Sequence, residues 1–267
     1  MGKALKLSER MKQYENVTQN RLIRRQPVII RIDGRAFHSY THKLDKPFDI
    51  NLAEAFEYTC SRLKDEIQGA KFIYTQSDEI SILLTDWEEL NTDSWFDYRI
   101  QKITSISAAL ATCYFNEYVD KIVSDYFKLY NRKDIDYKEE QDCLQKYNLW
   151  KTKKNRAIFD ARTFNLPNDE VCNYFISRQM NAIRNSKSSL GRAYFSHKDL
   201  DKKNSDEIVK MVQDKTGINW EELSSRQKQG ICLYRNLDEN KWVVDLDIPD
   251  FKSNRDYINR YVLSKGE

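Results

Sequence analysis

The chain has 267 residues, 40% hydrophobic and 32% charged, with only 7 Gly and 4 Pro, a composition for one large or two small packed domains and not for a disordered chain. Lys plus Arg number 44 against 41 Asp plus Glu, and the resulting +3 by itself says little about nucleic acid. No apolar run reaches the roughly 20 residues of a membrane-spanning helix, and the segment 1–10 has no apolar core of a signal sequence.

Five cysteines, Cys60, Cys113, Cys143, Cys172 and Cys232, occur without a CxxC pair and beside only three histidines. This scattered, odd set points to a reducing, cytoplasmic compartment and away from a zinc site. Charge is uneven along the chain. No carboxylate lies between Glu170 and Asp199, yet Arg178, Arg184, Lys187, Arg192 and Lys198 fall inside, and Lys151, Lys153, Lys154 and Arg156 come just before. Such a stretch suggests a surface that faces a polyanion; a solvated basic helix face is the plainer alternative.

In chain order, Val28-Ile29-Ile30-Arg31-Ile32 is a β-branched apolar run that ends at Asp33-Gly34, which predicts a buried strand stopping at a turn. Leu52, Phe56, Cys60, Leu63 and Ile67 recur every three or four residues and predict an amphipathic helix closed by Gly69. Lys71 to Thr75 reads as a second strand and Ile80, Ile82 and Leu84 as a third, joined by the polar turn Gln76-Ser77-Asp78-Glu79. A second helix is expected to open near Ser94, with Ile100, Ile103, Leu110 and Cys113 on its apolar face and small residues between them. The stretch 120–150 reads as helix plus exposed loop.

From Val171 to Ser189, a rotation of 100° per residue places Cys172, Ile176, Met180 and Ile183 on one side and Arg178, Asn181 and Asn185 on the other, with Gly191 as the stop. Two short helices, 206–215 and 220–229, precede a hairpin of strands 230–234 and 242–245. The expected architecture is α+β: an antiparallel, polymerase-palm-like sheet flanked by helices, with a helical and hairpin C-terminal part. We divide it into a catalytic part, residues 1–135, and a C-terminal part, 136–267, packed on it or continuous with it.

The chemistry centres on Asp33 and Asp78, one at a strand end and one in a hairpin turn. If the first strand lies beside the hairpin, both carboxylates meet at one sheet edge, where hard divalent cations take oxygen from one or two carboxylates and clamp a phosphoryl transfer. Glu79, next to Asp78, is expected to point to the opposite face and is set aside. Each Asp alone is more often a solvated turn former than a ligand, so the residues themselves leave the metal site open.

The block Arg31-Ile32-Asp33-Gly34-Arg35-Ala36-Phe37-His38, then Lys46-Pro47, then Gln76-Ser77-Asp78-Glu79-Ile80-Ser81, with Trp95-Phe96 and the helix after it, resembles the tRNA-His guanylyltransferase superfamily across residues 11–118. That resemblance implies nucleotidyl transfer to RNA in the 3′ to 5′ direction. By motif matching, Asp33, the carbonyl of Gly34 and Asp78 would hold two Mg²⁺ ions, with Asp33 and Asp78 catalytic. Gly34, Arg35, Ala36, Phe37, His38, Lys46 and Ser77 would bind the activating nucleotide, Phe37 offering a face for its base. Arg178, Asn181 and Asn185 would reach a triphosphate from their shared helix face, and Lys151, Lys153, Arg184 and Lys187 would meet RNA.

Where the eukaryotic branch carries His-Ile-Asn-Asn-Leu-Tyr-Asn, this chain has Arg178-Gln179-Met180-Asn181-Ala182-Ile183-Arg184-Asn185-Ser186, which resembles the bacterial and archaeal, Thg1-like reverse-polymerase branch. For that branch the expected activity is templated repair of truncated tRNA 5′ ends, with ATP activating a 5′-monophosphate and GTP or other NTPs added. Addition of a single G to tRNA-His is the alternative, and a cyclase-like or nucleotide-binding palm is the reading of another class. Relatives of this kind assemble as homotetramers, and no membrane partner is expected.

Overall fold

A computed structural model describes residues 5–89 and 91–263 of the chain; the first four residues of the segment read for a leader lie outside the described residues. The apolar run after Pro27 forms β1 (Val28–Gly34), and the predicted hairpin forms β2 (Ala70–Gln76) and β3 (Glu79–Leu84) around a turn of only Ser77 and Asp78. β1 runs antiparallel to β3, from Val28 opposite Leu84 to Asp33 opposite Glu79. Three further strands complete the sheet: β4 (Phe159–Asn165), β5 (Ile231–Asn236) and β6 (Lys241–Asp245). The six-stranded order is β4-β1-β3-β2-β5-β6, antiparallel throughout.

Alternation along the strands sends side chains to two cores. One face, with Val28, Ile30, Ile32, Ile73 and Ile82, packs on α3 (Ile50–Glu66) and α4 (Ile100–Tyr130). The other, with Ile29, Phe72, Tyr74 and Leu83, packs on α6 (Asn168–Tyr194) and the C-terminal segment through Phe175, Phe251, Ile258 and Val262. Short helices complete the chain: α1 (Leu7–Asn16), α2 (Phe37–Tyr40), α5 (Tyr137–Lys151), α7 (His197–Leu200), α8 (Ser205–Thr216), α9 (Ser225–Gln229) and α10 (Asp256–Asn259). Among the described residues no helix is long and apolar enough to cross a membrane.

The α+β expectation holds, and several local expectations need correction. β4 was not expected. It joins the sheet beside β1, and β5 joins beside β2, so the chain after residue 135 completes the sheet as well as packing on it. The second helix begins at Ile100 and not at Ser94, because Phe96 and Asp97 have positive φ and close a separate 3-10 turn, Trp95–Tyr98. Its buried face runs through Ile103, Ser107, Ala111 and Phe115, leaving Cys113 exposed.

α6 is rotated from its predicted phase: Phe175, Gln179, Ala182 and Ser186 are buried, whereas Met180 is 63% exposed. Gly191 does not stop α6. It lies inside the helix, where a Cβ would collide with Ile208 of α8, so the glycine permits the two helices to approach.

Gly230, between α9 and β5, has φ of +90°, and a Cβ there would collide with the Thr75 carbonyl and lie 2.9 Å from Gln76 Cβ. Gly230→Ala is expected to cost about 1–3 kcal/mol, the usual range for a residue forced into a glycine-only conformation, and urea unfolding midpoints measure it.

Candidate active site

The end of the sheet formed by β1 and the β2–β3 turn gathers the acidic residues. The Gly34 amide donates to the Asp78 carbonyl at 2.9 Å, which extends the β1–β3 ladder one bond into the turn and fixes Asp78 beside the strand end. A Cβ on Gly34 would collide with the Phe37 ring, so glycine is required where the chain turns tightly into α2. Ser77, with φ of +52°, carries the other half of the turn, and its Oγ donates to Asp78 Oδ1 at 3.1 Å.

Cross-strand partners share a sheet face, so Glu79, opposite Asp33, lies on the same side as Asp33. The expectation that Glu79 faces away is therefore wrong. It reckoned Glu79 from Asp78, which belongs to the turn, whereas strand pairing sets Glu79. Glu79 is buried and gripped from two sides: Arg31 Nη2 lies 2.7 Å from Oε2, and Arg178 Nε lies 3.4 Å from Oε1. Arg31 also reaches Asp33 Oδ2 at 3.5 Å.

Burial pushes the Asp78 carboxyl above the usual range, and the like charge of Asp33 adds to the rise, against the pull of the Ser77 hydroxyl and Arg31. Burial likewise raises Glu79, opposed by Arg178 and Arg31. Among the described residues no group of three or more His, Cys, Asp or Glu side chains converges as a metal site. The ligands expected from the sequence, the Asp33 and Asp78 carboxylates and the Gly34 carbonyl, would make an all-oxygen set with net negative charge.

A cavity of about 550 Å³ opens beside this edge. Of the residues expected to bind nucleotide, His38, Lys46, Ser77 and Asn185 line it. Phe37 does not offer its ring: it is buried, with the Tyr40, Phe56, Phe115 and Phe159 rings 4.9, 5.8, 5.5 and 5.1 Å away. Arg35 is exposed, and Ala36 has a left-handed backbone that starts α2. Arg178 is committed to Glu79, and Asn181 accepts from Arg184 Nη2 at 3.0 Å; neither Arg178 nor Asn181 lines the cavity.

The residues expected to meet RNA also sort differently. Lys153 is buried, and its Nζ donates to the carbonyls of Tyr40 and His42, the latter at 3.0 Å. Lys187 pairs with Asp206 at 2.7 Å and lies over the Trp220 ring. Lys151 stays exposed above the Tyr147 ring.

Sequence reasoning missed Ser189, Arg192, Arg226 and Gln227 in the cavity wall. Arg192 stood within the carboxylate-free stretch and was available as a signal. Arg226, which pairs with Glu57 at 3.1 Å, was not, because only the return of the chain to β5 beside β2 brings it there.

A palm-like antiparallel sheet with paired carboxylates at a strand end and hairpin turn, opening beside a cavity, is the architecture of a nucleotidyltransferase. The family model described as Thg1, tRNAHis guanylyltransferase, matches residues 8–167, and the chain belongs to that family. It is 41% identical to a bacterial tRNA(His) guanylyltransferase (Thg1)-like protein solved in complex with ATP, over 97% of this chain and 99% of that one, with a TM-score of 0.80. A bacterial Thg1-like protein in complex with GTP is 38% identical over 97% of this chain and 100% of its own, with a TM-score of 0.73. The tRNA(His) guanylyltransferase of Debaryomyces hansenii is 25% identical over 89% of this chain and 83% of its own. The family resemblance read from the motifs, including its Thg1-like branch, is therefore correct, and the chain is a nucleotidyltransferase of the tRNA guanylyltransferase type.

A carboxyl whose pKa is higher in the folded state than in the unfolded one favours the fold when protonated, and that stability is lost as pH rises through the folded value. Asp78→Asn removes the charge and keeps an acceptor for Ser77. The variant is expected to be more stable than the parent at pH 7 in EDTA, with the difference shrinking as pH falls below the carboxylate range; denaturant titrations across pH measure it.

Proposed function

We propose that the protein rebuilds truncated tRNA 5′ ends by templated 3′ to 5′ nucleotide addition. One observation carries the reading: a single turn joins cavity to carboxylate edge, since Ser77 lines the cavity while Asp78 beside it lies within the field of Asp33. A nucleoside triphosphate seated in the cavity would deliver its phosphates to that edge. Similarity to bacterial Thg1-like proteins in complex with ATP and with GTP supports both nucleotides as ligands.

In the first step a 5′-monophosphate oxygen attacks the α-phosphorus of ATP and pyrophosphate leaves. In the second, the 3′-hydroxyl of the incoming NTP attacks the activated 5′-phosphorus and AMP leaves. Asp33, Asp78 and the Gly34 carbonyl fit two Mg²⁺ ions, which when bound supply charge neutralisation and orientation of the reacting oxygens. His38, Lys46, Arg192 and Arg226 place donors and positive charge along the cavity wall toward the triphosphate. Arg31 and Arg178, by clamping Glu79, hold the strand end and α6 in one geometry, which favours positioning over any covalent role for the protein.

Templated repair, in preference to addition of one G, is supported by the sequence at 178–186 and by 41% identity to a bacterial Thg1-like protein against 25% to the fungal enzyme. Specificity then rests on base pairing with the opposite 3′ strand. A homotetramer, the assembly expected of relatives, belongs with this reading.

Asp33→Ala and Asp78→Ala are each expected to abolish nucleotide addition with the circular dichroism spectrum unchanged; substantial activity in either, with Mg²⁺ present, contradicts the palm assignment. A second assay decides the product. With 5′-truncated tRNAs of several anticodons, changing the base opposite the gap should change the added nucleotide to its complement. A single G added whatever base lies opposite, and only with a His anticodon, would replace repair with tRNA-His guanylylation.

A further inference from the structure

Two connections meet on the α4–α5 side of the sheet: residues 35–49, between β1 and α3, and residues 152–158, between α5 and β4. Lys153 ties them together. Its buried ammonium donates to the carbonyls of Tyr40 and His42 and lies 5.5 Å from the centre of the Tyr40 ring, while its own backbone amide donates to Trp150. The Arg35 amide adds a second tie, to the Ile158 carbonyl at 2.8 Å, directly after the Gly34 of the carboxylate edge.

The junction is positive and uncompensated. Burial holds the Lys153 amine below its ordinary range, and the charges of Arg156 and Lys43 beside it push the same way. The neighbouring carboxylates are already engaged, Asp45 with Lys146 at 3.6 Å and Asp120 with Lys154 at 3.2 Å. Among the described residues Arg35, Lys43, Lys151 and Arg156 are exposed and form no ion pair, and none of them lines the cavity. Four unpaired cations outside a nucleotide-sized cavity, yet joined to the catalytic edge through Arg35, suit an extended polyanion and not a compact triphosphate. Cations on such a surface act by displacing counterions from a phosphate backbone, which sets position without reading sequence.

We propose that Arg35, Lys43, Lys151 and Arg156, gathered by Lys153, form a track for the RNA phosphate backbone that leads from the carboxylate edge across the α5–β4 connection. The inference rests on RNA being the substrate, and the test separates the two. Binding of a fluorescent 5′-truncated tRNA to the full chain is titrated at 50–200 mM KCl for the parent, for Lys43→Ser/Arg156→Ser, and for Lys252→Ser/Arg260→Ser. The last pair makes an equal charge change beside the C-terminal core on the opposite sheet face.

The track variant should lower the slope of log K against log salt by about 1.4–1.8, since each of the two lost phosphate contacts removes about 0.7–0.9, and should weaken binding at least tenfold at 100 mM. Its KM for ATP at saturating tRNA should stay unchanged, and the control pair should keep the parental slope. An unchanged slope in the track variant, or an equal fall in the control, overturns the track while leaving the function standing. No binding of tRNA by the parent overturns the function and the track with it.

Discussion

Three carboxylates, Asp33, Asp78 and Glu79, are held at one end of a sheet, where burial and the nearby charge of Asp33 oppose the ionisation of Asp78 and Glu79. The arrangement persists because β1 and β3 pair in a single register, and because Arg31 and Arg178 supply positive charge from two different elements. The compensation is incomplete. Nε of Arg31 and Nε of Arg178 are buried without a hydrogen bond among the described residues, and the Asp33–Asp78 repulsion is left in place. Stability withheld in this way is common at functional sites.

The same pairing organises the rest of the site. Glu79 ties the sheet to α6 through Arg178, and α6 is anchored along its length by buried polar groups. Gln179 donates to the Pro249 carbonyl at 2.8 Å and accepts from the Phe251 amide at 2.9 Å. Ser186 Oγ donates to the Gln227 carbonyl at 2.8 Å and accepts from Trp220 Nε1 at 3.0 Å. With its rotation fixed by these bonds, α6 presents Asn185, Ser189 and Arg192 to the cavity, while Phe37, rooted among four aromatic rings, holds the start of the facing wall. Ring pairs of this kind are worth about 0.5–1.5 kcal/mol each beyond the area they bury, which is ample to keep one short loop in place.

Net charge conceals the electrostatic design. A total of +3 is unremarkable, yet acidic groups concentrate at the sheet end and unpaired cations at the junction beside it.

What the sequence by itself determined is local. The β-branched run before Asp33-Gly34, the hairpin around Ser77-Asp78, the periodic helix from Ile50 and the final hairpin were all legible, because each is set by propensity and spacing within about a dozen residues. The carboxylate pair was legible for the same reason, since each Asp stands at a turn its neighbours encode. The tertiary structure alone decided which of α6's polar residues are buried, since Gln179 turns inward only because the Pro249–Phe251 segment, about 70 residues away, offers its backbone groups. It alone recruited β4 beside β1, put Glu79 on the sheet face of Asp33, filled the core with Phe37 and made Lys153 an internal clamp instead of a surface cation. Those outcomes depend on partners more than 40 residues distant along the chain, whose positions no local period or motif carries.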